Sequence, residues 1–454
     1  MPLSIVILAA GKGSRMKSRR PKVIHPLAGK PLLQHVIDTS RRLDPQQIVI
    51  VVGHEAEQVH ETLAGQDCDF VEQREQLGTG HAVQQALASI PPGNDILVLY
   101  GDVPLIREQT LHHLLAQAEE HGSTVCLLSF LADDPTGYGR ILRDETGSVI
   151  AIVEEKDAED EIRRIRESNS GILMLRGNQA AELLSALDND NAQGEYYLTD
   201  TVKHAVQRQW SVHAVICDDE EELLGVNNQK QLAALESILR RRRADALMEQ
   251  GVKLADPARI DIRGEVRVGM DVEIDVGCIL EGDIELGDGV RICAHCCLKN
   301  ARIGAGTELL PHCVLEDCEL GERNSIGPFA RIRPQTRTEE QVKVGNFVEI
   351  KKSRIGKGSK VNHLAYIGDT EMGERVNIGA GAITCNYDGA YKHQTVIGDD
   401  VFVGSDVQLV APVRVGEGAT IGAGATITRD APAGELTLSR AKQTTIKGWK
   451  RPSK

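Results

Sequence analysis

The sequence predicts two folded domains of different class joined by a helix. An α/β domain with a parallel sheet covers residues 1–227, a connecting helix covers 228–251, and a parallel β-helix of six-residue repeats covers 252–454. Three observations carry this. Short apolar runs alternate with helical patterns in the first half, as a parallel sheet with helices on both faces requires. One long uninterrupted helical pattern follows. Beyond it an aliphatic residue returns at every sixth position, a period that neither a helix nor a flat strand produces and that a stacked β-helix does.

In chain order, Ser4–Leu8, Gln47–Val52 and Ile96–Tyr100 read as buried strands. Residues 31–43, 55–63 and 79–90 carry helical spacing between them. Residues 139–154 read as an antiparallel hairpin turning at Asp144-Glu145-Thr146-Gly147. The connecting helix, 229–250, has Leu232, Leu235, Ile238, Leu239 and Leu247 on one stripe, a solvated run from Arg240 to Arg243, and Gly251 as its stop. The β-helix starts by Ile260, and the six-residue beat holds phase from Val268 through Ile274, Leu280, Leu286 and Ile292 to Leu298. It slips, then runs clean again through Ile397, Val403, Leu409, Val415, Ile421 and Ile427. After Asp430 it is lost in a basic tail containing Arg440, Lys442, Lys447, Lys450 and Arg451.

A net charge of −14 argues against a nucleic-acid or anionic-membrane partner. Aromatic residues make up only 3% of the chain and glycines number 44, which suits a slim prism interior. Ten cysteines in 454 residues do not make a disulfide scaffold. Cys278, Cys296 and Cys313 fall on small inward positions of the beat, which favours packing over metal binding for the cluster around His295. The apolar N-terminal run lacks the flanks of a leader, and no stretch approaches a membrane span. The expectation is a reduced, soluble, cytoplasmic protein.

Two stretches carry chemistry in the first half. Leu8-Ala9-Ala10-Gly11-Lys12-Gly13-Ser14-Arg15-Met16 follows the first strand, where glycines let backbone N–H groups reach phosphate oxygens and a following helix N-terminus would add favourable potential. It lacks the third glycine of a dinucleotide fingerprint and has no Walker lysine–serine pair; Arg15 and Lys22 supply cations for a triphosphate instead. Tyr100-Gly101-Asp102-Val103-Pro104 ends a buried strand at the crevice where such sheets bind ligands, so Asp102 is a reasonable Mg²⁺ ligand. Taken alone, Asp102 is equally a helix cap.

In the second half the places where the beat fails are the candidates, because loops leaving a solenoid carry function. They are 331–343, with Arg331, Arg333 and Arg337, and 384–395, with Asn386, Tyr387, Lys392 and His393. Between them lies His363, with Lys351 and Tyr366 about a coil away and Glu349 a candidate to orient the imidazole. An imidazole suits taking a proton from an amine. Cys385 offers a competing route through a covalent intermediate, weakened by the lack of an adjacent cation to activate the thiol.

The L-A-A-G-x-G-[ST]-R-M stretch with Pro21-Lys22, the Gln76-Leu77-Gly78-Thr79-Gly80 run and Tyr-Gly-Asp-Val-Pro together resemble the sugar-1-phosphate nucleotidylyltransferases. With the hexapeptide array behind them, the whole chain resembles a family of bacterial bifunctional enzymes. These join an N-acetylglucosamine-1-phosphate uridylyltransferase to a glucosamine-1-phosphate N-acetyltransferase, on the way to peptidoglycan and lipid A. The resemblance implies a Rossmann-like nucleotidyltransferase domain and a left-handed β-helix. It also implies a homotrimer with the acetyltransferase site between neighbouring prisms, Mg²⁺ at the nucleotide site and acetyl-CoA as co-substrate.

Residue by residue, the resemblance implies that Leu8, Ala9, Ala10, Gly11 and Gln73 line the uridine site, with Gly78 and Thr79 on the base and Lys22 on phosphate. Tyr100, Gly101 and Asp102 would line the sugar-nucleotide cleft, Gly139, Glu154 and Asn169 would hold the sugar, and Asp102 and Asn227 would coordinate the metal. Asn169-Ser170-Gly171 departs from the family's Asn-Thr-Gly but keeps the hydroxyl. In the β-helix, His363 would be the general base, and Arg333, Lys351, Tyr366, Asn377 and Lys392 would hold glucosamine 1-phosphate. Ala380, Asn386, Tyr387, Ser405, Ala423 and Arg440 would line the acetyl-CoA groove, with Asn386 or backbone N–H groups facing the oxyanion. The alternatives are a monofunctional nucleotidylyltransferase whose β-helix is structural, and a non-enzymatic scaffold.

Overall fold

In the computed structural model, which describes residues 2–53 and 55–452, the chain divides into two compact units, Met1–Leu239 and Arg240–Lys454. The first unit runs β1 (Leu3–Ala9), a small hairpin of β2 (Pro26–Leu27) and β3 (Lys30–Pro31), α1 (Leu32–Arg41), β4 (Gln47–Val52), α2 (Ala56–Thr62) and β5 (Asp69–Glu72). It continues with α3 (Thr79–Ala86), β6 (Asp95–Tyr100), α4 (Glu108–Glu120), β7 (Val125–Leu131), β8 (Arg140–Arg143), β9 (Val149–Val153), α5 (Asp160–Arg163) and β10 (Glu167–Leu175). α6 (Gly177–Ser185), α7 (Asp200–Gln207) and β11 (Val212–Ile216) complete it, and α8 (Gln229–Glu249) begins in this unit.

The sheet order is β11-β7-β10-β6-β1-β4-β5. The central strand β1 is buried along both faces: Ile5, Ile7 and Ala9 belong to one core layer, Val6 and Leu8 to the other. That is why it reads as a continuous apolar run rather than an alternation. The sheet is not wholly parallel, because β10 runs antiparallel between β6 and β7. The chain returns from β7 through the β8–β9 hairpin instead of a helical crossover, and a parallel return needs the crossover. The hairpin turn is held by the Asp144 carboxylate, which accepts from the backbone N–H groups of Thr146 and Ser148.

α8 contributes Leu235 to a cluster with Met16, Leu27 and Leu32 in the first unit, and Ala244 and Leu247 to the core of the second. The Arg240–Arg243 run is not simply solvated: Arg243 is half-buried and donates to the Ile262 carbonyl.

The second unit is a parallel β-helix with two long sheets. One sheet carries a single inward column: Leu254, Ile274, Ile292, Leu309, Ile326, Val344, Val361, Ile378, Val403 and Ile421, each paired with the next. The other covers the remaining two faces; below Leu320 long strands bend around their shared corner, and above it each face has its own short strands. The first rung is Lys253–Leu254 and the last is Leu436–Thr437, so the coil outlasts the legible beat past Asp430. Cys278, Cys296 and Cys313 stack inside, each thiol donating to a carbonyl of the next coil (Cys293, Leu310 and Ile326, at 3.3, 3.2 and 3.4 Å). Among the described residues no cluster of three metal-ligating side chains occurs.

The slip of the beat at 331–343 is not a break. Arg331–Ile332 and Thr336–Thr338 stay in register with Glu349–Lys351 and Arg354–Ile355. The inward positions there are Thr336 and Thr338 rather than aliphatics, and their hydroxyls are satisfied by the Ile350 carbonyl and the Asn324 amide. The real insertion is 385–394. Stacked neighbours are 25 residues apart across it, as Arg375 and Asp400 are, against 17 for Asn346 and His363. Among the described residues no helix is long and apolar enough to cross a membrane.

Candidate active sites

The first unit holds a cleft of about 470 Å³ at the C-terminal ends of β1 and β6. Leu8, Ala9, Ala10, Gly11, Lys22, Gln73, Gly78, Thr79, Tyr100 and Asp102 line it, as the sequence led us to expect. Gly11 has nothing within 4 Å of the place a Cβ would occupy, so the fold itself does not need glycine there. Gly78 is different: its φ of 111° and the Tyr196 carbonyl 2.6 Å from a built Cβ demand glycine on structural grounds. Gly101 is packed against Leu33, Leu8 and Val23 and donates to the Leu8 carbonyl, so it brings strands together at the cleft floor.

No α-helix follows the glycine-rich loop. Gly13 and Lys17, at φ 59° and 50°, bracket a single 3₁₀ turn over Ser14–Met16. The expected helix potential is therefore weak, and cations carry the charge. The Lys22 ammonium pairs with Asp102 and also donates to Asn227 Oδ1 at 3.3 Å. Arg15 donates to the same Asn227 oxygen at 2.9 Å, so it holds Asn227 rather than standing free for a phosphate. Asp102 and Asn227, far apart in sequence, thus present their oxygens to one cation position.

Gly139, Glu154 and Asn169 meet at the side of this cleft. Asn169 N–H donates to the Gly139 carbonyl at 2.8 Å, and a Cβ on Gly139 would lie 3.5 Å from Glu154 Oε2. Glu154 accepts from the Thr199 hydroxyl at 3.0 Å. Burial pushes the Glu154 carboxyl above its ordinary range, aided by Asp200, Asp157 and Glu195 and opposed by Thr199. Tyr100 is likewise pushed up, first by burial and then by Glu154 and Asp102. Ser170 donates its hydroxyl to the Leu128 carbonyl at 2.6 Å, so this hydroxyl serves the bulge in β10. Sequence reasoning missed Glu195 in the lining and Thr199 behind it, neither of which sits in a patterned motif, and gave no role to Lys12, which lies within the glycine-rich motif and also lines the cleft.

In the second unit, β strands Glu349–Lys351 and Tyr366–Gly368 stack on one face. The Lys392 ammonium, from the insertion, lies against Lys351 and pushes it below its ordinary value, with desolvation and Arg333 adding to the shift and Asp369 opposing it. Arg333, Lys351 and Lys392 therefore converge into a cation patch. Glu349 is not free to orient His363: it accepts from Arg333 at 2.6 Å. The partner of His363 is Asn346, whose Oδ1 lies 2.9 Å from Nδ1. Above Gly368, Tyr366 and Asn386 approach so closely that a Cβ would lie 2.5 Å from the Tyr366 hydroxyl and 2.8 Å from Asn386 Nδ2. Asn386 commits one amide hydrogen to Asp369 at 2.6 Å, which weakens it as an oxyanion donor. Tyr387 is exposed, its hydroxyl turned back to the Gly389 carbonyl.

Ala380, Ser405 and Ala423 form a column of small residues, tied by Asp406 N–H to the Ala380 carbonyl and Gly424 N–H to the Ser405 carbonyl. Arg440 closes its end, with Cδ 3.7 Å from a Cβ built on Gly424. Asn377 lies in the other sheet, between Lys360 and Phe402, and is not brought to Lys351. Asn386 and Tyr387 are likewise apart from the small-residue column in strand pairing. Cys385 has its thiol pushed up by burial, with no cation to oppose it.

The family model of the MobA-like NTP transferase domain matches residues 5–193, and that of the bacterial transferase hexapeptide (six repeats) matches 394–429, where the beat is cleanest. Proteins described as "Bifunctional protein GlmU" match from end to end. That of Azoarcus sp. is 57% identical over 452 residues, covering all of both chains. Those of Chromobacterium violaceum and Cupriavidus pinatubonensis are each 54% identical, over the whole of this chain and 99% of theirs. The chain belongs to the GlmU family. Like that family it is a bifunctional enzyme, with a nucleotidyltransferase unit ahead of a hexapeptide acyltransferase unit. The GlmU match spans both the cleft around Asp102 and the cation patch around Lys351, so neither unit is an accessory of the other.

Proposed function

We propose that the second unit transfers acetyl from acetyl-CoA to the amine of glucosamine 1-phosphate, and that the first unit joins the product to UTP with release of pyrophosphate. The observation that carries this reading is the convergence of Arg333, Lys351 and Lys392 into a cation patch on the coils that also carry His363. A structural β-helix has no use for three converging cations, whereas a sugar phosphate whose amine reaches a histidine does. His363 takes the amine proton as the nitrogen attacks the thioester carbonyl; the C–S bond breaks and coenzyme A leaves as its thiol. Backbone N–H groups stabilise the oxyanion. The Ala380, Ser405 and Ala423 column with Arg440 takes coenzyme A.

In the first unit, a phosphate oxygen of the sugar attacks the α-phosphorus of UTP and the bond to the β-phosphate breaks. The Gly11 backbone and Lys22 hold phosphates; Gln73, Gly78 and Thr79 hold the base; Gly139, Glu154 and Asn169 hold the sugar. The oxygens of Asp102 and Asn227 converge on a position now taken by the Lys22 ammonium, and two oxygen donors beside a phosphate site fit Mg²⁺. When bound, that ion would neutralise charge on the phosphates. Arg15 keeps Asn227 aimed at the position.

The working form we propose is a cytoplasmic homotrimer. Supporting it is Asn377, which belongs to the expected glucosamine 1-phosphate set yet lies in the other sheet from Lys351 within one chain. A ridge of stacked, exposed rings over His295, His312, Phe329 and Phe347, with centroids 5.1, 4.9 and 5.3 Å apart, offers an apolar surface for a neighbouring copy.

The test is product analysis with glucosamine 1-phosphate, acetyl-CoA, UTP and Mg²⁺, omitting one at a time. His363→Ala is expected to abolish acetylation and spare uridylyl transfer, and Asp102→Ala the reverse. Loss of both activities from either change in a folded protein would defeat the two-site reading.

A further inference from the structure

We infer that Asn346 is a positioning residue for the acetyltransferase, holding His363 in the tautomer whose Nε2 is free to take the amine proton. This rests on the proposed role of His363 as base. Strands on this face are mostly two residues long, but those carrying Asn346 and His363 run to four, Lys343–Asn346 and Lys360–His363. The extension brings the two side chains into register, Asn346 opposite His363. Two features hold it. Leu364 N–H donates to the Asn346 carbonyl at 3.1 Å, pinning the backbones together. At Gly345, the place for a Cβ lies 1.9 Å from the Asn362 carbonyl oxygen, so any side chain would push the strands apart. The backbones of the two coils are thus held close where the pair meets, and the four-residue strands put Asn346 beside His363.

A neutral imidazole has one N–H and one lone pair, and the partner of one nitrogen decides which is which. With Asn346 Oδ1 accepting from Nδ1–H at 2.9 Å, the lone pair sits on Nε2. Turned over, the amide would donate to Nδ1, place the proton on Nε2 and silence the base. An amide oxygen fixes the tautomer without placing a negative charge beside the ring; a carboxylate there would favour the protonated imidazolium. Glu349, the carboxylate that the sequence suggests for this task, is engaged by Arg333.

The test is acetyl transfer by the full-length enzyme as a function of pH, with uridylyl transfer by the same preparation as the control for folding. Asn346→Ala is expected to lower kcat for acetylation about tenfold or more with KM for glucosamine 1-phosphate nearly unchanged. Asn346→Asp should keep the acceptor, retain much of kcat at its optimum, and move the acid limb of the profile to higher pH. Lys343 and Lys360 on the same strands, and the Arg333–Glu349 pair, are common to both proteins, so the shift reads position 346 alone. An unchanged kcat in Asn346→Ala, or an acid limb in Asn346→Asp that does not move, would overturn the inference. His363→Ala is the separate control: if it retains acetylation, the proposal that His363 is the base fails, and with it the ground for this one.

Discussion

Replacing Lys392 by Met separates holding the sugar phosphate from the chemistry on its amine. Lys392 reaches from the insertion onto Lys351, and the two ammonium groups stand beside Arg333, with Glu349 paired to Arg333 and Asp369 opposing the repulsion. Asp369 is shared with Lys352 and Asn386. Without ligand the patch is under like-charge repulsion; a phosphate relieves it. A charge-assisted hydrogen bond to phosphate contributes about 1.5–3 kcal/mol. Removing Lys392 loses that and also relieves some repulsion in the empty site, leaving a net loss of about 1–2 kcal/mol of binding, a rise in KM for glucosamine 1-phosphate of roughly 5–30-fold. The assay is the initial rate of thiol release from acetyl-CoA against glucosamine 1-phosphate concentration, at low and moderate salt. KM should rise with kcat largely kept, and the difference from the native enzyme should shrink as salt screens the exposed patch. An unchanged KM, or a loss confined to kcat, would refute the reasoning, since Lys392 would then act on the reacting groups and not on the phosphate.

Two further outcomes follow from the same geometry. Thr199→Val removes the hydroxyl that opposes the upward push on Glu154. A carboxyl raised in the folded state favours folding most below its unfolded value, near 4.5, and loses that contribution as pH rises through the folded value. Thr199→Val raises Glu154 further, so thermal melts should show a loss of about 1 kcal/mol near neutrality and almost none in acid, with a higher KM for N-acetylglucosamine 1-phosphate at neutral pH; equal losses at both pH values would count against it. Cys385→Ser should leave acetyl transfer within about twofold, since burial keeps the thiol protonated and no cation activates it; a stable acetyl-thioester on Cys385 after exposure to acetyl-CoA alone, seen by mass spectrometry, would reverse that.

How far the sequence could be read depended on whether a feature is local. β1, β4 and β6 announce themselves because both faces of each are covered, and the cleft is recognisable because Gly11, Lys22, Gly78 and Asp102 sit in compact motifs at strand ends. The antiparallel β10 was not legible, since apolar composition is the same whichever way a buried strand runs. Thr336 and Thr338 concealed two turns of the β-helix: a buried threonine satisfied by a carbonyl or an amide serves inside a prism, but to a count of aliphatics it looks like a gap. Asn346 and Thr199 escaped because each acts on a residue on another strand or loop, His363 and Glu154, and no spacing records that contact. Glu349 was the plausible wrong partner for His363: a carboxylate at a fitting separation, already bound to Arg333.

The coil on which His363 sits is also where one corner of the prism changes character. Residues in left-handed conformation recur there once per coil: His295, His312, Phe329, Phe347 and Leu364, then Gly381, Asp406 and Gly424. Each is tied to the coil before, as Phe329 N–H is to the Pro311 carbonyl and Gly381 N–H to that of His363. Up to Leu364 the column is aromatic or apolar and exposed, a surface that water does not favour. From Gly381 onward it is small or polar, flanked by Ala380, Ser405 and Ala423. Because stacked rungs lie only about 4.8 Å apart, a change of side chain at one repeated position becomes a change of surface within one coil. The ridge proposed to join neighbouring copies therefore ends where the groove proposed for coenzyme A begins, and His363 lies at that border, with Asn346 one rung below it on the ridge side. A base placed there faces both the column that would take the acyl donor and the neighbour that would complete the substrate site, which is what direct attack by a bound amine on a bound thioester requires.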